Sequence, residues 1–240
     1  HCPRLANEHV TKQGNPNDDG AAIEMGIAAG GRAVHLDGAL ITAPFYPPES
    51  LIKGILVNER GERFINEDCY HARTLDAALD QPGGTVYLIC DDATFGRPEL
   101  GMQHLIDAWE TVAEMERDLG LPEKSLRDTI DRYNAHARAG EDPDFHKHAD
   151  WLAPIEKAPF AALEFSVGKA VYVGFTLGGL AVSIDAEVLR EDGTTVPGLH
   201  AAGACASNIA QDSKGYSSGT CIGESTFFGR RAGRHAAAST

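Results

Sequence analysis

Residues 212–237 read DSKGYSSGTCIGESTFFGRRAGRHAA, and this stretch constrains the fold more than any other. Glycines at 215, 219, 223, 229 and 233 are interleaved with Tyr216, Ser217, Ser218 and Thr220, and the pattern continues as a helix almost to the C-terminus. A helix that starts behind a glycine loop carries several backbone N–H groups with no intrahelical acceptor. Those donors and the macrodipole stabilise an anion, or a carbonyl that gains negative charge during reaction. Glycine lets a flat ligand approach the backbone closely because no Cβ intervenes. The same small residues also suit close helix packing, as at Gly229 and Gly233, so spacing alone leaves both readings of 215–222 open. GLHAAGA at 198–204 poses the same choice: a strand that ends in Gly203 either lies against a cofactor or makes a tight turn. Nowhere does G-x-G-x-x-G follow a strand, so neither loop is a complete phosphate fingerprint.

The rest of the chain alternates helix and strand signals. NPNDDGAAIEMGIAAGG reads as an N-cap at Asn17 or Asp18, a helix, and a stop at Gly30 and Gly31. RAVHL follows as a short strand, GILVNERGERFINED as a hairpin turning at Glu59–Gly61, and TVYLICDD as a buried strand. Helical spacing of Leu105, Ile106, Trp109, Val112 and Met115 predicts one helix over 102–119, and Pro122 opens a second that Gly140 stops. AGEDPDFHKHADWLAP reads as a solvated surface loop, including HKH at 146–148. Short strands return from Phe165 with KAVYVGF, GLAVSID and AEVLRED, then a turn at Asp192–Gly193. This order predicts an α+β or α/β protein with a separate middle lobe.

A net charge of −14 argues against a nucleic-acid partner, and no apolar run reaches the roughly 18 residues of a membrane span. Cys2, Cys69, Cys90, Cys205 and Cys221 are scattered without a C-x-x-C pair. That pattern predicts reduced, mostly buried thiols in a cytoplasmic protein, with neither a disulfide framework nor a structural metal.

NDDGAAIEMGIAAGGRA, GILVNERGERFINED, TLGGLAVS, VPGLHAAGA and the closing block occur in an order that resembles the second half of the FAD-dependent fumarate reductase and 3-ketosteroid dehydrogenase superfamily. The resemblance implies a catalytic cap lobe inserted in the C-terminal segments of a Rossmann-like FAD-binding lobe. It implies boundaries at 1–44 and 166–240 for the FAD-lobe segments and 45–165 for the cap. It also implies that the N-terminal βαβ unit is absent from this chain, which is then a fragment or split subunit, with the missing FAD-binding segment as its partner.

Within that superfamily, fumarate reductases carry a histidine before T-x-G-G, an arginine in the last loop and an arginine acid after the hairpin. Here Phe175, KGYSSG and His71 stand at or beside those places, and Arg73 is the nearest cation to the third. A dicarboxylate is held by paired cations, and this loop offers Tyr and Ser instead; GYSSG, with Tyr70 following RFINEDC, resembles the 3-ketosteroid 4-dehydrogenases of 5α-steroids. The 1-dehydrogenases space their tyrosine and glycine one residue wider than Tyr216 and Gly219. The resemblance assigns Tyr216, Ser218 and Tyr70 to catalysis and a hydrophobic steroid-like ketone as substrate. It assigns Gly203, Ala204, Gly219, Cys221 and Ile222 to the flavin, with Asp19 at the first helix either approaching the cofactor or capping that helix. Family members often carry Glu where Ala204 stands. Two other readings compete: a fumarate-reductase-like or enone reductase, and a catalytically inactive binding module.

Overall fold

The computed structural model describes residues 2–6, 8–207 and 209–238. In chain order, β1 (Val10–Lys12), α1 (Ala21–Ala28), β2 (Ala33–Val34) and β3 (Ala39–Thr42) come first. They are followed by β4 (Ile55–Asn58), α2 (His71–Leu79), β5 (Val86–Asp91), β6 (Leu105–Trp109), α3 (Val112–Asp118), α4 (Ser125–Ala139) and β7 (Phe160–Glu164). β8 (Tyr172–Thr176), β9 (Gly179–Ala181), β10 (Glu187–Leu189), β11 (Thr195–His200), β12 (Ala206–Ser207) and α5 (Thr220–Ala238) close the order. The result is a mixed α/β protein with several sheets. His1–Ile41 with Val173–Thr240 form one compact unit, here the terminal unit, and Thr42–Tyr172 form a second, the central unit.

The central unit is organised by an antiparallel sheet of order β4-β5-β7-β6. β5 (VYLICD) is flanked by strands on both edges and every one of its residues is buried, which is why Val86–Cys90 read as an unbroken apolar run. Ile55, Val57, Tyr87, Ile89, Trp109 and Phe160 cluster with Met115 of α3 and with Leu126, Ile130 and Tyr133 of α4. Burial pushes the Cys90 thiol on β5 up to about 12, so it behaves as a small apolar side chain.

Several sequence expectations change here. The helix over 102–119 is in fact strand β6 followed by helix α3, because Leu105–Trp109 pair with β7, a long-range contact that overrides their helical spacing. α3 begins with a capping box: Thr111 Oγ1 accepts the Glu114 N–H at 3.2 Å, and Glu114 Oε2 accepts the Thr111 N–H at 3.0 Å. α4 starts at Ser125, not at Pro122. The carboxylate of Glu116 caps it from α3, accepting the N–H groups of Lys124 at 2.6 Å and Leu126 at 2.9 Å. The hairpin keeps β4 and a positive-φ turn at Gly61, but its return arm makes only an isolated bridge, Val57 to Arg63. The thiols are free, yet only Cys90 is fully buried.

HKH is not uniformly solvated. Lys147 is buried, with Nζ 3.1 Å from Glu67 Oε2 and donating to the Gly54 carbonyl at 2.6 Å. Arg63 donates from Nε and Nη2 to Glu67, at 3.1 and 2.9 Å, and from Nη1 and Nη2 to Asp142, at 3.2 and 3.0 Å. Its guanidinium lies 4.8 Å from the Tyr133 ring centroid and 5.0 Å from that of Phe145. Two cations thus meet two carboxylates with most donors and acceptors matched, the condition under which buried charge is tolerated. Burial favours the neutral form of each group. Contact with Arg63 more than reverses this for Asp142, whose carboxyl lies below its usual range, and the two carboxylates hold Arg63 above its own.

In the terminal unit the sheets are β1-β8-β3, β12-β9-β2 and the pair β10-β11. β12 runs parallel to β9, and β2 runs antiparallel to it. Leu180, Val188, Val196, Ala201 and Ala206 form a core cluster in this unit. α1 packs so closely on β9 that a Cβ at Gly26 would stand 2.3 Å from Leu180 Cδ1, so any larger residue there would require the Leu180 side chain to move. Neither Asn17 nor Asp18 caps α1. Gly20, with φ 83°, holds the cap position, and Asp19 Oδ1 accepts the Ala21 N–H at 2.9 Å. No helix among the described residues is long and apolar enough to cross a membrane.

Glu67→Gln is expected to lower unfolding stability by about 3–5 kcal/mol, because it leaves Lys147 and Arg63 short of a counter-charge; urea denaturation measures this. Asp142 also predicts an acid limit. Its folded carboxyl titrates below its unfolded one, so its stabilisation is complete above about pH 4 and is lost as pH falls through the folded value. Denaturation midpoints of wild type and Asp142→Asn should therefore converge on acidification.

Candidate functional site

The loop before α5 is fixed from beneath by one hydroxyl. Ser213 is fully buried; its Oγ donates to the Ala39 carbonyl at 2.9 Å and accepts the Ile41 N–H at 3.1 Å, so it clasps β3 from both polarities. Asp212 Oδ1 accepts the N–H groups of Lys214 and Gly215, each at 2.8 Å, which turns the chain upward into the loop. Tyr216 follows, half-buried, with its ring edge-on to Phe175 of β8 at 5.6 Å and 78°. Thr220 Oγ1 donates to the Ser217 carbonyl at 2.7 Å, so the hydroxyl contacts that close the helix mouth run between Thr220 and Ser217. Ser218 stands exposed between them.

Gly219, with φ 92°, precedes α5, and a Cβ there or at Gly223 would meet nothing within 4 Å. The first turn leaves the N–H groups of Cys221 and Ile222 beyond reach of an intrahelical acceptor, as any helix start does. Ile222 is 74% exposed, and no described residue of α5 is buried. The turn Gly203–Cys205 packs on the same helix: Gly203 has φ 75°, and a Cβ on it would come within 3.2 Å of Ser225 Oγ. Glu224 Oε1 ties the segment after this turn to α5 by accepting the N–H groups of Ile209 and Ala210, at 2.8 and 2.9 Å. The structure therefore brings Gly203, Gly219, Cys221 and Ile222 onto or beside one open helix start. A glycine-lined, partly apolar face with backbone donors suits a flat ligand that bears carbonyl or anionic groups. Ala204 is exposed in the same turn, and Asp19 is engaged at the head of α1.

Tyr70 belongs to the central unit. It immediately precedes α2, and its carbonyl accepts the Arg73 N–H at 2.8 Å, so its backbone is fixed as the helix entry. Its ring lies 4.1 Å from that of His71. Three residues upstream, buried Glu67 accepts the Leu56 N–H at 2.9 Å and binds Arg63 and Lys147, which holds the approach to Tyr70 rigid. Sequence reasoning missed Ser213, which looked like one more polar loop residue, and the engagement of His71 with Thr42. His136, Asp142 and Asp144 gather as a potential metal set, but Asp142 is already bonded to Arg63, and Asp144 lies 3.1 Å from Arg132.

The profile of the family described as "FAD binding domain" matches residues 4–219. Among solved structures, the chain is similar to 3-ketosteroid-delta4-(5alpha)-dehydrogenase from Rhodococcus jostii RHA1, determined in complex with 4-androstene-3,17-dione. The identity is 38% and the TM-score 0.86, over 99% of this chain and 49% of that one. It is 35% identical over 207 residues to the NADH:acrylate oxidoreductase of Vibrio harveyi, covering 77% of this chain and 20% of the relative. It is 30% identical to the 4-oxocyclohex-2-ene-1-carboxylate 5-dehydrogenase of Sinomonas cyclohexanicum, over 91% of this chain and 44% of that protein. The chain thus spans less than half the length of each of these relatives.

Ser213→Ala should leave the Ile41 N–H and the Ala39 carbonyl short of a buried partner, at a cost of about 1–3 kcal/mol. The Ile41 amide should then exchange with deuterium faster. An unchanged denaturation midpoint together with slow Ile41 exchange would remove Ser213 from its anchoring role.

Proposed function

The chain belongs to the FAD binding domain family, and from that premise we propose that it serves a flavin-dependent dehydrogenation next to a ketone, on a 3-ketosteroid or a similar hydrophobic cyclic ketone. In this reading the terminal unit supplies FAD-lobe segments and the central unit a catalytic cap. The observation that carries the proposal is the Tyr216–Ser218 loop, anchored by Ser213 and braced by Phe175 at the mouth of an open helix start. The similarity to a steroid dehydrogenase over 99% of this chain supports the choice of substrate.

Gly203, Ala204, Gly219, Cys221 and Ile222 are assigned to holding FAD, and the N–H groups of the first turn of α5 would supply donors to it. Asp19, whose Oδ1 accepts the Ala21 N–H at the head of α1, is assigned to the cofactor with them. Bound FAD supplies a hydride acceptor for the carbon β to the ketone. The chain's own residues handle the rest. Removing a proton from the α carbon requires the ketone oxygen to be stabilised as it becomes enolate-like, and a phenol or hydroxyl donor does this without a full charge. Tyr216 and Ser218 are assigned to that oxygen and to the proton, with Tyr70 assisting the transfer. Because the loop offers phenol and hydroxyl groups where a dicarboxylate needs fixed cations, a neutral ketone suits it better.

A second reading, reduction of an activated alkene, is favoured by the similarity to an acrylate oxidoreductase. Anaerobic mixing of the FAD-loaded protein with 5α-androstane-3,17-dione separates the two. Bleaching of the flavin is expected, whereas electron exchange with acrylate or fumarate alone would sink the ketone assignment. A protein that takes up no flavin even with the upstream FAD-binding segment supplied would be a binding module instead. Tyr216→Phe and Ser218→Ala should each slow flavin reduction by roughly 100-fold while FAD stays bound, and unchanged rates in both would refute their roles.

A further inference from the structure

In the central unit, three aromatic residues lead from the core to the imidazole beside Tyr70. Phe165 meets Phe45 at 5.5 Å, Phe45 meets Tyr46 at 5.4 Å, Tyr46 meets His71 at 6.1 Å, and His71 lies against Tyr70 at 4.1 Å with a 39° tilt. The first two rings are fully buried, so the series starts from an immobile base. His71 is also held by a hydrogen bond between Nδ1 and the hydroxyl of Thr42. Thr42 is buried at the end of β3, where a strand backbone and a stiff β-branched rotamer fix its hydroxyl. A bond at one ring nitrogen selects the tautomer as well as the ring plane.

We propose that His71, pinned through Nδ1 by Thr42, is the positioning residue of Tyr70, presenting a neutral imidazole face that holds the phenol in a single working orientation. This rests on the reading of Tyr70 as a site residue. Burial lowers the affinity of His71 for a proton and raises that of the Tyr46 phenol and the Cys69 thiol, so these neighbours are all uncharged near neutral pH. The charged groups acting on Cys69, next to Tyr70, are Asp68, Arg73 and Glu67. Asp68 Oδ1 accepts from Asn66, and Glu67 is committed to Arg63 and Lys147. An imidazolium in the same place would put a positive charge against the phenol and alter its proton chemistry. The pair therefore fixes charge as well as geometry.

The test uses FAD-loaded protein carrying Thr42→Val, Thr42→Ser or His71→Asn, with nitrogen NMR of the histidine rings and steady-state turnover of 5α-androstane-3,17-dione. Wild-type His71 is expected to show one neutral tautomer and Thr42→Val a mixture. Turnover number should fall roughly 10- to 100-fold in Thr42→Val and His71→Asn, with KM and flavin content unchanged, and Thr42→Ser should restore both signals. An unchanged tautomer in Thr42→Val overturns the pinning, and an unchanged turnover number in His71→Asn overturns the positioning. If wild-type protein turns over no ketone, the functional reading fails separately. The positioning of Tyr70 is then decided by whether its ring resonances move in Thr42→Val.

Discussion

The buried charge cluster of Arg63, Glu67, Asp142 and Lys147 is the constraint on which the central unit depends. Each member comes from a part of the chain with little regular structure: the turn after β4, the loop toward α2, and the segment after α4. Their charges balance, and the backbone of β4 and the Gly54 carbonyl take up two further positions, so four segments are drawn to one point. No apolar contact would fix them as tightly, since charges removed from water tolerate few alternative partners. Tyr70 lies three residues beyond Glu67 and inherits that rigidity.

The terminal unit achieves the same end with hydrogen bonds instead of charge. Ser213 clasps β3, Asp212 shapes the turn, and Phe175 braces Tyr216. Each is a small net contribution, but each removes one freedom from a glycine-rich loop that would otherwise sample many conformations. The contrast with α5 is informative. The loop at its mouth is tied down, while the described part of the helix buries none of its residues. Order is concentrated where the proposed chemistry is, and the helix offers backbone donors and apolar surface to whatever covers it.

Much of this was legible in the residues. The strand at 86–91, the turns at Gly61 and Gly193, the helix from 220 and its polar mouth all follow from local rules of alternation, positive-φ glycine and helix capping. Where the reading went astray, two local rules competed. Leu105, Ile106 and Trp109 fit a helix period until pairing with β7 imposed a strand, although the T-x-x-E box at 111–114 already marked the true helix start. β3 and β7 went unread because short buried segments carry no distinctive period, whereas α2 was missed although Ala72, Leu75 and Ala78 recur at helical spacing.

The sequence by itself determined that a donor-bearing helix start stands behind Tyr216 and Ser218, because caps, glycines and hydroxyls act within a few residues of one another. Only the tertiary structure decided that Ser213 bonds β3, that Lys147 in an apparently solvated HKH is buried against Glu67, and that Thr42 holds His71 beside Tyr70. Those contacts join residues 29 to 174 positions apart. Nothing in local chemistry distinguishes such a serine, lysine or threonine from one left in water. The difference arises when packing removes the solvent and leaves each polar group a single partner.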